Sequence, residues 1–335
     1  MRVAFVALFP VALMVLSAGG GQADAGGDGM LLVANKGDKA LGLIDPSAGR
    51  QVAEVPEQGE TGHEVIASPD GTTAYVPIYG NSGVGKPGTD GRTLVAIDLA
   101  SRQIVKTLDF GHGVRPHCPM FGPKNGLRYV TTELDQSVTI VDPKTMTIVG
   151  SVPTGQPESH MLAISKDGRR GYTANVGPGT VSVLDLDAKK TLKIIPISPS
   201  TQRIALSVDD RYAFTADQTQ PRLAVIDMTT DTIAHWVTLP GLGYGTAPTP
   251  DGRWLVVAVP PAHQVAVVDL KTFTVARTID VPAAPQEVLV RPDGTVAYVS
   301  CDRSAKVAAI RTSDWTVASL IDAGKSADGL AWAAR

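Results

Sequence analysis

The chain has 335 residues, a formal net charge of −3 with 30 Lys and Arg against 33 Asp and Glu, and 43% hydrophobic residues. That length supports a sizeable core, and the near-balanced charge excludes a nucleic-acid partner held mainly by charge. With only Cys118 and Cys301, the fold is not a disulfide scaffold.

In chain order, Met1-Arg2 is followed by an apolar run from Val3 to Leu16 and by SAGGGQADA, in which Ala23 and Ala25 frame a cleavage site. This is the pattern of a secretory signal peptide over residues 1–25, which leaves 26–335 as one domain, periplasmic or secreted, with no membrane span.

A phrase then recurs: ASPDGTTAYV, FGPKNGLRYV, ISKDGRRGYT, LSVDDRYAFT, PTPDGRWLVV, VRPDGTVAYV. Asp167, Asp209, Asp251 and Asp293 follow one another at 42-residue intervals. Between these turns run short apolar strands, the third of each period reading GLIDP, VAIDL, VTIVDP, VSVLDL, LAVIDM, VAVVDL and VAAIRT. Four strands per period without helical periodicity predict an all-β, seven-bladed β-propeller of four-stranded antiparallel blades. The first blade opens in its second strand with MLLVANKG and the chain ends in a first strand, DGLAWAAR. The C-terminal strand is therefore expected to complete the first blade, which also removes free sheet edges.

YVTT at 129–132, YTAN at 172–175 and YVSC at 298–301 resemble the YVTN family of β-propeller repeat proteins across the length of the predicted domain. The resemblance implies the fold and says little about function. Proteins of this architecture include binding and surface-layer-like proteins, lactonase-like enzymes, and propeller parts of periplasmic reductases that hold haem or copper.

The second blade departs from the period. Pro69 and its counterpart Pro123 are 54 residues apart, and the excess falls in YGNSGVGKPGTDG. Gly80, Gly85 and Lys86 carry most of a phosphate-loop pattern, but Pro87 stands where a hydroxyl is required and a strand pattern follows in place of a helix. The segment reads instead as an insertion loop on the face that leads into each first strand, placed to cover the tunnel mouth.

Aligning the segments before each first strand brings His63, His117, His160, Gln202, Tyr244, Gln286 and Asp328 into one column at that mouth. A second column, at the ends of the second strands, holds Asn35, Ile78, Thr132 with Glu133, Asn175, Asp217, Val259 and Cys301; Arg115 and Glu64 flank the histidines. The three histidines are candidate ligands for a transition metal (zinc, copper or iron), with Glu133 or Asp217 as a base. Arg115, Gln202, Tyr244, Gln286, Asp328 and Lys86 are candidate ligand-binding residues. Cys118, next to His117 in a strand, is expected to point away from it. His112, His235 and His263 lie outside the column.

Two functions remain open on this reading. One is a monomeric exported binding protein that grips a small molecule, glycan or protein partner. The other is a metal-dependent enzyme of lyase, lactonase or oxidoreductase type.

Overall fold

The computed structural model describes Met1, residues 29–81 and residues 83–334; the expected signal peptide lies outside the described residues. The chain is a β-propeller. Among the described residues, five antiparallel sheets have four strands each, and a sixth sheet has eight. In the eight-stranded sheet, Thr316–Asp322 and Arg50–Pro56 meet in a single parallel pairing, Asp322 with Arg50. On one side of that pairing stand four strands of the C-terminal repeat. On the other stand Arg50–Pro56, Ala40–Asp45, Gly29–Asn35 and Ala327–Ala334, the last two paired antiparallel from Gly29↔Ala334 to Asn35↔Ala327.

The second and third strands of each repeat are buried nearly throughout, as in Tyr172 and Ala174 or Val265 to Val268. Neighbouring blades cover both faces of these strands, so their sequences read as apolar runs without alternation. Outermost strands such as Gln103–Asp109 and Thr232–Thr238 keep one buried position near their ends and are otherwise open to solvent. The first strands, among them Pro116–Phe121, Ser159–Ile164 and Pro285–Val290, form the inner edge of each sheet and line the axis.

The recurring Asp-Gly phrase is a side-chain-locked turn. In Ser165–Arg170 the Ser165 hydroxyl donates to Asp167 Oδ1 at 2.7 Å, and the same oxygen accepts from Arg169 N at 3.0 Å. Asp251 and Asp293 close their turns in the same way. A carboxylate that captures the backbone two residues on is the reason Asp recurs there. The third-strand Asp does similar work one hairpin later: Asp227 Oδ1 accepts from Thr229 N and Thr230 N.

Within the YTAN segment, Asn175 receives the Ser159 hydroxyl and donates to Thr180 and Ser182, so one amide ties three strands of its blade together.

Several inner strands are irregular at one height. The register shifts between Pro116 and Pro119, between Ser159 and Met161, and between Pro285 and Val288. Two residues before four of the seven mouth positions stand Arg115, Glu158, Ala284 and Ser326, all with φ between 49° and 58°. This repeated bulge breaks the two-residue alternation and turns consecutive side chains toward the axis.

Candidate functional site

The bulge delivers His117 from the strand Pro116–Phe121 and His160 from Ser159–Ile164. His63 comes from the segment before Ile66–Ala67, which is held to the second strand by the Gly62–Ile78 bridge. The three rings do meet. His117 and His160 lie with centroids 3.5 Å apart, and His63 meets His117 edge-on at 5.6 Å. Tyr79 touches all three, at 4.6, 5.2 and 5.8 Å.

Behind the rings sits Glu133, 1% exposed. Its Oε2 accepts the Tyr79 hydroxyl at 2.7 Å and faces His160 Nδ1 at 3.4 Å. Burial alone would raise the Glu133 carboxyl, but His160, Tyr79 and Arg115 together hold it below its usual range. Glu133 Oε1 and His117 Nδ1 are buried without a hydrogen-bond partner among the described residues.

Burial holds the imidazoles neutral. It lowers His63 to about 3 and takes His117 well below the ordinary value, with His160 and His63 adding to the effect on His117. His160 is lowered by burial and partly restored by Glu133. Neutral nitrogens could ligate a metal; here two of the rings lie face on face and the third meets His117 edge-on. Among the described residues, no group of three or more His, Cys, Asp or Glu is arranged to hold a metal ion. The three histidines expected as metal ligands do come together, and they pack with Tyr79 as an aromatic cluster.

The insertion loop joins the strands Thr73–Gly80 and Asp90–Asp98. Arg115, 6% exposed, anchors it: Nε donates to Asp90 Oδ1 at 2.6 Å and Nη2 to Lys86 O at 2.7 Å. Gly85, with φ at 65°, comes so close to Glu158 that an added Cβ would sit 2.7 Å from its Oε1. Between loop and blades lies a pocket of about 370 Å³ lined by Lys86, Arg115, Glu133, Gln136 and Glu158 among others. Lys86, Arg115 and Glu133 therefore share one site.

The remaining candidates separate. Asp217 is engaged within its own hairpin: Oδ1 accepts from the Thr219 backbone and hydroxyl and from Gln220 N, and Oδ2 pairs with Arg222. Its place at the end of a second strand commits it to its own hairpin. Asp328 binds Lys36 at 2.9 Å and Arg203 at 3.0 Å, and Tyr244 lies 5.0 Å beneath the Arg203 guanidinium. Gln202 and Gln286 are half-buried and form no side-chain hydrogen bond among the described residues. Cys118 does not point away from the axis. It lines an axial cavity and donates to Leu162 O, because the bulge at Pro116–Pro119 cancels the alternation. Both cysteines are free and buried.

Sequence reasoning missed Tyr79, Arg203, Glu287 and Lys36. Tyr79 follows Ile78 at the register shift between Ile78 and Gly80. Arg203, Glu64 and Glu287 each stand one residue past the mouth column, a column that a two-residue period assigns to the other face.

A family model described as the cytochrome D1 heme domain matches residues 121–331, well over half of the chain. Among solved structures, the Kuenenia stuttgartiensis hydrazine synthase resembles the chain with a TM-score of 0.72 at 18% identity, covering 84% of this chain and 92% of that one. At that identity the likeness concerns the fold. No curated protein sequence matches. The matched family supports the propeller; the YVTN assignment rests on the repeat motifs alone. The match begins after His63 and His117, so of the three histidines only His160 falls within it.

Proposed function

The chain belongs to the cytochrome D1 heme domain family, and from that premise we propose that it is an exported β-propeller binding protein. We read it as a monomeric ring of seven blades closed by Ala327–Ala334, with YVTN-like repeats, acting in the periplasm or outside the cell after loss of residues 1–25. The 42-residue spacing and the pairing of the first and last described strands support this reading. Among the described residues no helix is long and apolar enough to cross a membrane.

The family's heme does not suit this mouth. A macrocycle needs the open side of an axial imidazole, whereas His117 is stacked on His160 and Tyr79 abuts His63, His117 and His160. The axial cavity has no histidine in its lining.

The ligand we assign to the loop pocket is a small polar molecule with a hydrogen-bond donor. One observation carries this: Glu133 Oε1 is a buried carboxylate oxygen without a hydrogen bond, with Arg115 Nη1 at 3.6 Å, in a pocket roofed by the insertion loop. A buried acceptor left unmade costs about 1–3 kcal/mol, which a donor from the ligand would recover. Lys86 and Glu158 on the rim select its polar edge.

The test is a thermal-shift and calorimetric screen of small amides, polyols and amino compounds against three proteins: the native chain, Glu133→Gln, and a variant with residues 81–89 cut to a tight turn. A compound that stabilises the native protein should lose at least about tenfold in affinity in both variants. Undiminished binding to both variants would refute the assignment.

A further inference from the structure

The axis holds a second cavity, separate from the loop pocket. It has a volume of about 480 Å³ and is walled by apolar side chains of the innermost strands, among them Ile164, Leu206, Leu289 and Trp332. At one end the walls give way to a charged layer. Arg203, 2% exposed, donates Nη1 to Glu64 and Glu287 and Nη2 to Asp328, while Lys36 holds the other oxygen of Asp328.

The layer sets three carboxyl groups against two cations, and burial raises Glu64 and Glu287 above the usual carboxyl range despite Arg203, so the two groups that face the cavity lack a full cationic partner. Asp328 is engaged by Lys36 outside the cavity lining, whereas Glu64 and Glu287 belong to that lining. Glu287 is also the most open member around Arg203, its side chain 17% exposed against 3% for the arginine. Its Oε1 accepts no hydrogen bond among the described residues. The other titratable group of the wall, the Cys118 thiol, is pushed by burial up to about 12 and stays neutral.

Two demands follow for an occupant. The walls reward an apolar body, at about 25 cal/mol for each Å² removed from water. Glu287, with Oε1 open toward the cavity, rewards a compact cationic donor that would stabilise its ionised form, and a charge-assisted hydrogen bond there is roughly twice as strong as a neutral one. We propose that the axial cavity is a second binding site, for an amphiphilic primary amine, with the ammonium at Glu287 and Glu64 and the apolar chain running toward Trp332. The site is independent of the loop pocket and does not rely on that reading.

Decylamine below its micellar concentration is a suitable probe, with decanol and decanoate as matched controls. Trp332 gives a local fluorescence signal, and calorimetry gives affinity. The native protein should bind decylamine more tightly than decanol and reject decanoate. Glu287→Gln should weaken decylamine by about tenfold and leave decanol unchanged. Ala205→Phe, which fills the cavity, should abolish binding of both, and Leu206→Trp replaces it if that variant fails to fold. Trp332→Phe should remove the fluorescence response while calorimetric binding persists. No decylamine binding at millimolar concentration, equal binding by Glu287→Gln, persistent binding by the folded cavity-filling variant, or tighter binding of decanoate would each overturn the proposal.

Discussion

His117 and His160 lie ring on ring, with centroids 3.5 Å apart and planes inclined by 31°. The arrangement lets two imidazoles share a buried place only while both are neutral. Equilibrium dialysis against micromolar zinc or copper is therefore expected to leave no stoichiometric metal that His117→Ala removes. The same substitution opens a hole in a packed cluster and should lower stability by about 1–3 kcal/mol in thermal or denaturant unfolding. One metal per chain, lost in His117→Ala, would reverse this reading.

Glu57 gives a pH dependence whose sign can be worked out. It is fully buried, its Oε2 accepts Gly62 N at 2.7 Å, and its Oε1 has no hydrogen-bond partner among the described residues. Burial raises it from 4.5 to about 7 despite the Gly62 bond. The folded protein therefore binds more protons than the unfolded chain between those values. Its contribution to stability is present in full below 4.5 and is lost as pH rises through 7. The shift corresponds to about 3 kcal/mol at most. Glu57→Gln should thus gain on the native protein in melting temperature between pH 5 and pH 8, and an equal difference at both pH values would show that Glu57 is not protonated in the fold.

The parts of the structure legible in the sequence are those that repeat identically. The turn aspartates recur because each captures its own backbone, and the apolar middle strands recur because both faces are covered. The mouth column of His63, His117 and His160 was readable for the same reason. What was not readable comes from the bulge beside that column. Its signature is a backbone shift with no fixed residue type, since Arg115, Glu158, Ala284 and Ser326 all adopt it. Period-two reasoning therefore put Cys118 on the wrong side, and Arg203 and Glu287, which the column did not include, went unread. Asp217 stands at a second-strand terminus, where a carboxylate also serves its own hairpin, which the column alone did not show.

The C-terminal strand tests how the eight-stranded sheet is held. Leu330, Ala331 and Ala333 are buried, and Ala331 pairs with Leu32 across to the first described strand. The turn of the second blade also leans on it: a Cβ on Gly71 would fall 1.5 Å from Ala334 O. Removing residues 329–335 should strip the cover from Gly29–Asn35 and expose its unpaired edge. The loss is expected to be on the order of 5 kcal/mol, from the apolar area uncovered. Unfolding in urea would show it as a fall in the midpoint, and aggregation of the truncated chain would rise. A truncated chain with an unchanged midpoint would mean that the strand is dispensable.

Arg203 carries the sharpest contrast between losing one charge and losing several. Its guanidinium is the partner common to Glu64, Glu287 and Asp328, and those carboxylates are what hold its proton against burial. Arg203→Met keeps most of the volume but leaves three carboxylates facing one another with Lys36 alone to balance them. Breaking a buried ion pair from one side costs about 3–5 kcal/mol, because the remaining charge has nowhere to go. The variant should therefore be destabilised by that order at pH 7 and should recover as the pH falls and the carboxylates take up protons. Adding Glu64→Gln and Glu287→Gln to Arg203→Met removes the stranded charges and should restore much of the loss at neutral pH. Urea unfolding of the single and triple variants separates the cases: if the triple variant is no more stable than Arg203→Met, the layer stabilises the axis by packing, and its charge balance is incidental.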